Sequence, residues 1–114
     1  MIPEIAVEEL AKKLKSQDQF ILLDVRELDE LDRAKITDTR LEVAPMSRLA
    51  REGVKMLSES ASKKDAAILV LCHHGNRSAQ VTGWLARQGW TNVFNVRGGI
   101  DEYARKIDRS VGMY

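Results

Sequence analysis

The chain has 114 residues, of which 44% are hydrophobic, and its 18 basic and 17 acidic side chains leave a net charge of +1. This length allows one buried core and is too short for two, so we expect a single domain over residues 1–114. The balanced charge lacks the basic surface that binding of nucleic acid requires, and we therefore expect no nucleic-acid partner.

The chain contains a single cysteine, Cys72. One cysteine cannot form an intramolecular disulfide, which favours a reducing compartment. The first residues show no basic stretch followed by an apolar run, so no secretory signal is predicted. The longest apolar runs, near 20–23 and 66–72, have the length of a strand and are far shorter than a membrane span. We therefore expect a cytoplasmic protein with no membrane partner.

Helical and strand patterns alternate along the chain. Apolar residues spaced i, i+3, i+4 and i+7 from Val7 predict an amphipathic helix, whereas the continuous apolar run 20–25 is typical of a buried parallel strand. Gly53 lowers the helix propensity of the segment 46–57. Gly89 is predicted to end the helix 78–88 as its C-cap. In chain order, the predicted elements are helix 7–16, strand 20–25, helix 27–33, strand 41–43, helix 46–57, strand 67–71, helix 78–88, strand 92–96 and helix 100–107.

This order of elements predicts a three-layer α/β fold. Strands joined by helical crossovers run parallel and bury both faces, with helices packed on either side. In such sheets, functional sites gather beyond the carboxyl ends of the strands. Asp24 and Cys72 both fall at such ends. The last residues, 108–114, either pack on the domain or fray.

Cys72 lies between the apolar strand 67–71 and a predicted helix. A tight turn, which Gly75 permits, gathers unpaired N–H groups of the helix start around the thiol. These groups favour negative charge, and hence the thiolate over the thiol. A lone cysteine at a strand end is often only a small buried hydrophobic residue. The loop that follows Cys72 favours a catalytic cysteine instead.

Three segments together resemble the signatures of a rhodanese domain, in the same order and spacing: LDVRE (23–27), CHHGNRSA (72–79) and NVRGGID (95–101). The resemblance covers nearly the whole chain. It implies a five-stranded parallel sheet flanked by helices on both faces. It also implies a sulfurtransferase that takes a sulfane sulfur from thiosulfate or a persulfide onto Cys72. The implied acceptors are cyanide, a thiol or a partner protein.

The chain departs from the family pattern after the first of these segments. Many members carry Gly-His-Ile-x-Gly-Ala there, where this chain has Arg-Ala-Lys-Ile-Thr-Asp at 33–38. Ile36 matches the core position, but Lys35 replaces the histidine and both glycines are absent. The departure concerns the shape of this loop more than the chemistry of the thiol.

The residues after Cys72 provide what attack on a dianionic donor needs. A thiolate that approaches thiosulfate is repelled unless positive potential cancels the repulsion, and backbone amides and the Arg77 guanidinium supply that potential. The acceptor then removes the sulfur from the Cys72 persulfide, which predicts ping-pong kinetics and no metal or organic cofactor. The predicted substrate- and anion-binding loop comprises His73, His74, Gly75, Asn76, Arg77 and Ser78.

Two alternative chemistries use similar residues. Cysteine-dependent phosphatases and arsenate reductases have five residues between cysteine and arginine, whereas Cys72 and Arg77 are separated by four, which forms a tighter ring. Zinc binding by Cys72, His73 and His74 is not expected, because the adjacent side chains should diverge and no fourth ligand lies nearby. The histidines are expected to lie at the entrance to the loop, where they add positive charge when protonated or contact the sulfur-donating substrate. The alternative is that they are plain surface residues.

Five residues are expected to support the site. Asp24 and Arg26 flank a valine, so their side chains share one face. The family resemblance implies that the pair anchors loops, and contact with the substrate is the alternative. Arg97 either edges the pocket or is a solvated side chain beside a turn. Gly98 and Gly99 provide backbone geometry and a close approach to the loop.

Three classes of function remain open: a sulfurtransferase enzyme, a persulfide carrier that delivers sulfur to a partner protein, and a non-catalytic interaction module of the same fold. Retention of Cys72 and of its loop argues against the third class. The first two classes share the same residues, and the linear sequence does not separate them.

Overall fold

Five parallel strands form the sheet at the centre of the fold. The computed structural model describes residues 2–114. Across the sheet the strand order is β1-β5-β4-β2-β3, and all neighbours are parallel. The predicted five-stranded parallel sheet is confirmed. The strands are β1 (Glu4–Ile5), β2 (Ile21–Asp24), β3 (Leu41–Val43), β4 (Ile68–Leu71) and β5 (Val93–Val96).

Helices cover both faces of this sheet, as the alternation of patterns predicts. They are α1 (Val7–Lys15), α2 (Leu28–Leu31), α3 (Met46–Glu52), α4 (Asn76–Arg87) and α5 (Gly99–Lys106). Side chains of α1 and α5 pack in one core cluster, and those of α3 and α4 pack in the other. Within β4, Leu69 and Leu71 face the first cluster while Ile68 and Val70 face the second. This alternation explains why the strand is continuously apolar.

The observed elements differ from the predicted ones in three places. The strand Glu4–Ile5 has only two residues, too few for a periodic pattern, and it was not among the predicted elements. The predicted helix 46–57 is interrupted at Gly53, whose φ of +73° ends the α-helix before a 3₁₀ turn, Gly53–Met56. The predicted helix 27–33 is a single turn, Leu28–Leu31.

The C-terminal segment packs on the domain. Val111 and Tyr114 contact the core cluster of α1 and α5, and the amide of Lys35 donates to the Val111 carbonyl at 2.8 Å. Lys35 itself is exposed while Ile36 is buried, so the tail covers the backbone of the segment that departs from the family pattern. Of the two alternatives for this tail, packing is the one observed.

The carboxyl ends of β2, β4 and β5 lie side by side at one edge of the sheet, where functional sites of parallel sheets are found. Asp24 pairs in register with Leu71, the residue before Cys72. Arg97 follows the adjacent strand β5. No helix formed by residues 2–114 has the length and apolar character needed to cross a membrane.

Candidate active site

The sulfur of Cys72 is surrounded by hydrogen-bond donors. The residue is 1% exposed, and its Sγ accepts hydrogen bonds from the amides of Gly75 at 3.1 Å and Ser78 at 3.3 Å. The Ser78 hydroxyl lies 3.2 Å from the same sulfur. These donors, together with the N-terminus of α4 at Asn76, stabilise negative charge on sulfur.

Gly75 gives the loop its turn. Its φ is +99°, in the left-handed region that favours glycine, and it is the residue before the first helical residue of α4. A Cβ at this position would lie 3.0 Å from the amide nitrogen of Gly98. The backbone of the loop therefore packs directly against the turn after β5.

Gly99 brings the start of α5 against the loop. Its φ is +64°, and a Cβ there would clash with the carbonyl oxygens of Cys72 and His73. The amides of Ile100 and Asp101 donate to these two carbonyls at 2.9 Å and 3.0 Å. The start of α5 thus fixes the carbonyl groups of Cys72 and His73, while the amides of Gly75 and Ser78 donate to the sulfur.

The buried side chains of Ser78 and Asn95 hold the loop in place through hydrogen bonds. The Ser78 hydroxyl donates to Asn95 Oδ1 at 2.5 Å, and Asn95 Nδ2 donates to the Gly75 carbonyl at 3.3 Å. Asn95 also donates to Glu4 in β1 at 3.2 Å. Because the Ser78 hydroxyl is near both Asn95 and Cys72, it can turn its proton toward the sulfur when that sulfur is ionised.

Arg77 forms a two-pronged ion pair with Glu30. Its Nη1 and Nη2 donate to the two carboxylate oxygens at 2.7 Å and 2.8 Å. This interaction, opposed by burial and aided by hydrogen bonds from the Glu27 amide and the Tyr114 hydroxyl, lowers the pKa of Glu30 from 4.5 to about 2. The pKa of Arg77 is raised by the same pair. The predicted anion-binding arginine is thus positioned by a carboxylate on α2.

Asp24 and Arg26 form a fully buried ion pair. The Arg26 Nη2 donates to Asp24 Oδ2 at 2.7 Å, and both side chains are 0% exposed. The Nε of Arg26 also donates to Asp24, at 3.0 Å, and its Nη1 donates to the Glu30 carbonyl at 3.2 Å and to the Tyr114 hydroxyl at 3.1 Å. Through these contacts the pair connects α2 and the C-terminal tail to the end of β2.

The two histidines of the loop differ in environment. The His73 ring stacks on Tyr114, with ring centroids 3.7 Å apart, and its buried Nε2 has no hydrogen-bond partner within residues 2–114. Burial, together with the charge of His74, lowers the pKa of His73, which favours the neutral ring at pH 7. The side chain of His74 is 59% exposed, and its Nδ1 lies 3.7 Å from Asp101 Oδ2.

The expectation that these two side chains diverge is wrong. Neighbouring side chains diverge in an extended strand, whereas residues 73–75 form a bend. The two rings lie 3.9 Å apart, and together with Asp101 they offer ligand atoms within 4.8 Å of one another. The Asp101 carboxylate is already engaged by Arg105 at 2.7 Å. A metal ion would have to displace Arg105 from this carboxylate.

Three residues of the site, Glu30, Asn95 and Tyr114, are not among those predicted from the sequence. Glu30 stands in a charged segment shortly after the first family signature, and Asn95 is a polar residue within an otherwise apolar strand, so both carried a weak signal. Tyr114 is 84 residues from Glu30 and has no such signal. Arg97, which was singled out, is exposed at the end of β5.

The chain is similar to known proteins over nearly its whole length. Residues 6–106 match the rhodanese-like domain family. A sulfurtransferase of Allochromatium vinosum is 33% identical over 105 residues, which cover 92% of this chain and 91% of that protein. The crystal structure of a rhodanese-related protein from Thermoplasma volcanium is 32% identical, with a TM-score of 0.73, and the match covers 92% of this chain and 93% of that chain.

Other relatives are longer than this chain. The chloroplastic rhodanese-like/PpiC domain-containing protein 12 of Arabidopsis thaliana is 35% identical over 116 aligned positions, which cover 99% of this chain and 38% of that protein. A putative sulfur carrier protein of Bacillus subtilis is 30% identical over 94% of this chain and 54% of its own. This chain therefore spans about half or less of these two proteins. On the family match over residues 6–106 and the identity to the Allochromatium sulfurtransferase, the chain belongs to the rhodanese-like domain family.

Proposed function

We propose that this protein transfers sulfane sulfur through a persulfide on Cys72. The observation that carries the proposal is the pair of amides, from Gly75 and Ser78, that donate to the Cys72 sulfur at 3.1 Å and 3.3 Å. A structural cysteine in an apolar core needs no such donors, whereas a thiolate or persulfide anion requires them. The family assignment supports the same chemistry, since relatives include sulfurtransferases.

The first half-reaction loads sulfur onto the cysteine. The Cys72 thiolate attacks the outer sulfur of thiosulfate, a sulfur–sulfur bond forms, and the sulfur–sulfur bond of the donor breaks. Its electron pair leaves with sulfite, so three negative charges enter and three remain. A thiol persulfide reacts in the same way and releases a thiolate. Donors from the loop stabilise the charge on the attacked and attacking sulfur atoms.

The second half-reaction unloads the sulfur. Cyanide or a thiolate attacks the terminal sulfur of the Cys72 persulfide, and the electron pair of the broken bond returns to the Cys72 sulfur. The amides of Gly75 and Ser78 then receive the thiolate in the position from which it started. Because the donor product leaves before the acceptor reacts, the kinetics are ping-pong. In this scheme neither a metal nor an organic cofactor takes part.

A persulfide carrier is the second candidate function, and the similarity to a putative sulfur carrier protein of Bacillus subtilis favours it. The carrier uses the same loop and the same persulfide, and differs only in having a partner protein as acceptor. A cytoplasmic setting suits both functions, since a reducing environment keeps the lone thiol of Cys72 unoxidised.

Thiocyanate production from thiosulfate and cyanide tests the proposal. We expect the native protein to show parallel double-reciprocal plots, and Cys72→Ala to show no activity above the background reaction. Ser62→Ala, which alters an exposed serine outside the loop, serves as the control and retains activity. Activity retained in Cys72→Ala would contradict a persulfide on Cys72. Native persulfide formation without thiocyanate turnover would favour the carrier.

A further inference from the structure

The ion pair between Glu30 and Arg77 bears on the choice of sulfur donor. We propose that Glu30 is a specificity-determining residue that disfavours dianionic donors such as thiosulfate and leaves the site better suited to thiol persulfides, and that Tyr114 fixes Glu30 in this role. The inference rests on the proposed persulfide chemistry of Cys72. Arg77 is the only Lys or Arg residue in the segment 72–78. A negative charge that neutralises Arg77 therefore weakens the attraction of the loop for anionic sulfur donors.

The geometry of the pair leaves Arg77 poorly available to an incoming anion. Both terminal nitrogens of the guanidinium donate to the carboxylate of Glu30, at 2.7 Å and 2.8 Å. Two-pronged pairs of this kind fix the orientation of both partners. The Glu30 side chain is only 16% exposed, so solvent screens the carboxylate weakly. An anionic donor at Arg77 therefore also meets the negative charge of Glu30.

Tyr114 and the backbone hold the carboxylate in place. The Tyr114 hydroxyl donates to Glu30 Oε1 at 2.9 Å and accepts from Arg26 at 3.1 Å. The Glu27 amide donates to Glu30 Oε2 at 2.9 Å. Since Arg26 is itself fixed by a buried ion pair, the Tyr114 hydroxyl joins Glu30 to a rigid part of the fold. Glu30 is thereby kept against Arg77.

The other ion pairs around the loop add little net positive charge. Asp24 is paired with Arg26, and Asp101 with Arg105, each at 2.7 Å. Arg97 is exposed at the end of β5, where water and salt screen its charge. The attraction for a donor comes mainly from neutral backbone amides, which bind a persulfide sulfur as well as they bind thiosulfate. A persulfide carries one negative charge at most on its sulfurs, and thus meets less repulsion from Glu30.

The loading step with this donor class is balanced. The Cys72 thiolate attacks the terminal sulfur of R–S–S⁻, a new sulfur–sulfur bond forms on Cys72, and the donor leaves as R–S⁻. Two negative charges enter and two remain, with no net oxidation. No group other than the donor and the protein is required.

The test compares two probes, thiosulfate and 2-hydroxyethyl persulfide, by the rate at which each adds sulfur to Cys72. In Glu30→Gln, which keeps the shape of the side chain and removes its charge, we expect the second-order rate constant for thiosulfate to rise about tenfold. The rate constant for 2-hydroxyethyl persulfide should stay within about twofold, and the thiosulfate reaction should become more sensitive to ionic strength. Asp29→Asn, an exposed acid on the same helix α2, is the charge-matched control and leaves both rates unchanged.

A second variant keeps the inference testable if Glu30→Gln folds poorly. Tyr114→Phe retains the ring that stacks on His73 but loses both hydrogen bonds of the hydroxyl, so we expect a smaller rise in the thiosulfate rate, about twofold to threefold. A ratio of the two rates that is unchanged or lower in Glu30→Gln contradicts the inference while the proposed function stands. If the native protein takes sulfur from neither probe, the proposed function fails, and the inference fails with it.

Discussion

Tyr114 and His73 stack face to face, with ring centroids 3.7 Å apart and planes inclined by 6°. This contact joins the C-terminal tail to the loop that holds Cys72. The same tyrosine donates to Glu30 at 2.9 Å. The tail therefore contributes to the site although it lies outside the three signature segments and outside the family match, which ends at residue 106.

Removal of the Tyr114 side chain should destabilise the protein. Tyr114→Ala loses the stacked ring and two hydrogen bonds, and we expect the free energy of unfolding in urea to fall by about 2 kcal/mol. Tyr114→Phe should lose about half as much, since its ring still stacks. Met113→Ala, at an exposed neighbour in the same tail, is the control. Equal free energies of unfolding for Tyr114→Ala and Met113→Ala would show that the contacts of Tyr114 with His73 and Glu30 do not stabilise the protein.

A comparison of two glycines tests how tightly the loop packs against α5. Gly99 and Gly53 both have positive φ, +64° and +73°, but a Cβ at Gly99 would clash with the carbonyls of Cys72 and His73, whereas nothing lies within 4 Å at Gly53. Gly53→Ala should cost about 1 kcal/mol of unfolding free energy from backbone strain alone. Gly99→Ala should cost about 3 kcal/mol or more.

Chemical denaturation of both glycine variants gives the required comparison. Sulfur loading of Cys72 should be impaired in Gly99→Ala at temperatures where it is still folded, because the loop carbonyls must move. Equal losses of stability in the two variants would mean that the carbonyls of Cys72 and His73 move at little cost in free energy to accommodate a Cβ at residue 99.

The stability of the protein should depend on pH through Glu30. Its pKa is lowered to about 2 in the folded protein, so the ionised form stabilises the fold above its ordinary pKa of 4.5. This contribution is lost as the pH falls from about 5 toward 2, and amounts to about 3 kcal/mol. Glu30→Gln has no such group and should lose less stability over this range. Parallel curves for the two proteins, measured by urea unfolding at each pH, would contradict the assignment.

Arg77→Ala should affect dianionic and singly charged sulfur donors differently. The substitution removes the cation and leaves Glu30 unpaired beside the loop, so the rate of sulfur loading from thiosulfate should fall about tenfold or more. Loading from 2-hydroxyethyl persulfide should fall much less. Single-turnover rates with both donors provide the measurement. An equal loss with both donors would indicate that Arg77 only maintains the shape of the loop.

The sequence was sufficient for the architecture because its strongest signals are local. The run Ile68–Leu71 is buried on both faces and is apolar throughout, and the helix that includes Val81 and Leu85 shows its apolar face directly. The strand Glu4–Ile5 was missed because two residues carry no period. Its pairing is determined by contact with β5, which is distant in the chain.

The site was predictable to the extent that it lies within one loop. Cys72, Gly75 and Ser78 follow one another closely, so their joint geometry is a local property of a strand, a turn and a helix. The partners of Arg77 and His73, which are Glu30 and Tyr114, come from segments 47 and 41 residues away. Such contacts depend on tertiary packing, which no local pattern encodes.

Intact-mass spectrometry after incubation with a sulfur donor tests the central claim most directly. The native protein, treated with thiosulfate or 2-hydroxyethyl persulfide and then freed of the donor, should gain the mass of one sulfur atom. Cyanide should remove this sulfur and return the original mass, while Cys72→Ser should gain nothing under the same conditions. A native protein that gains no sulfur from either donor, or a Cys72→Ser variant that gains as much as the native protein, would contradict a persulfide on Cys72.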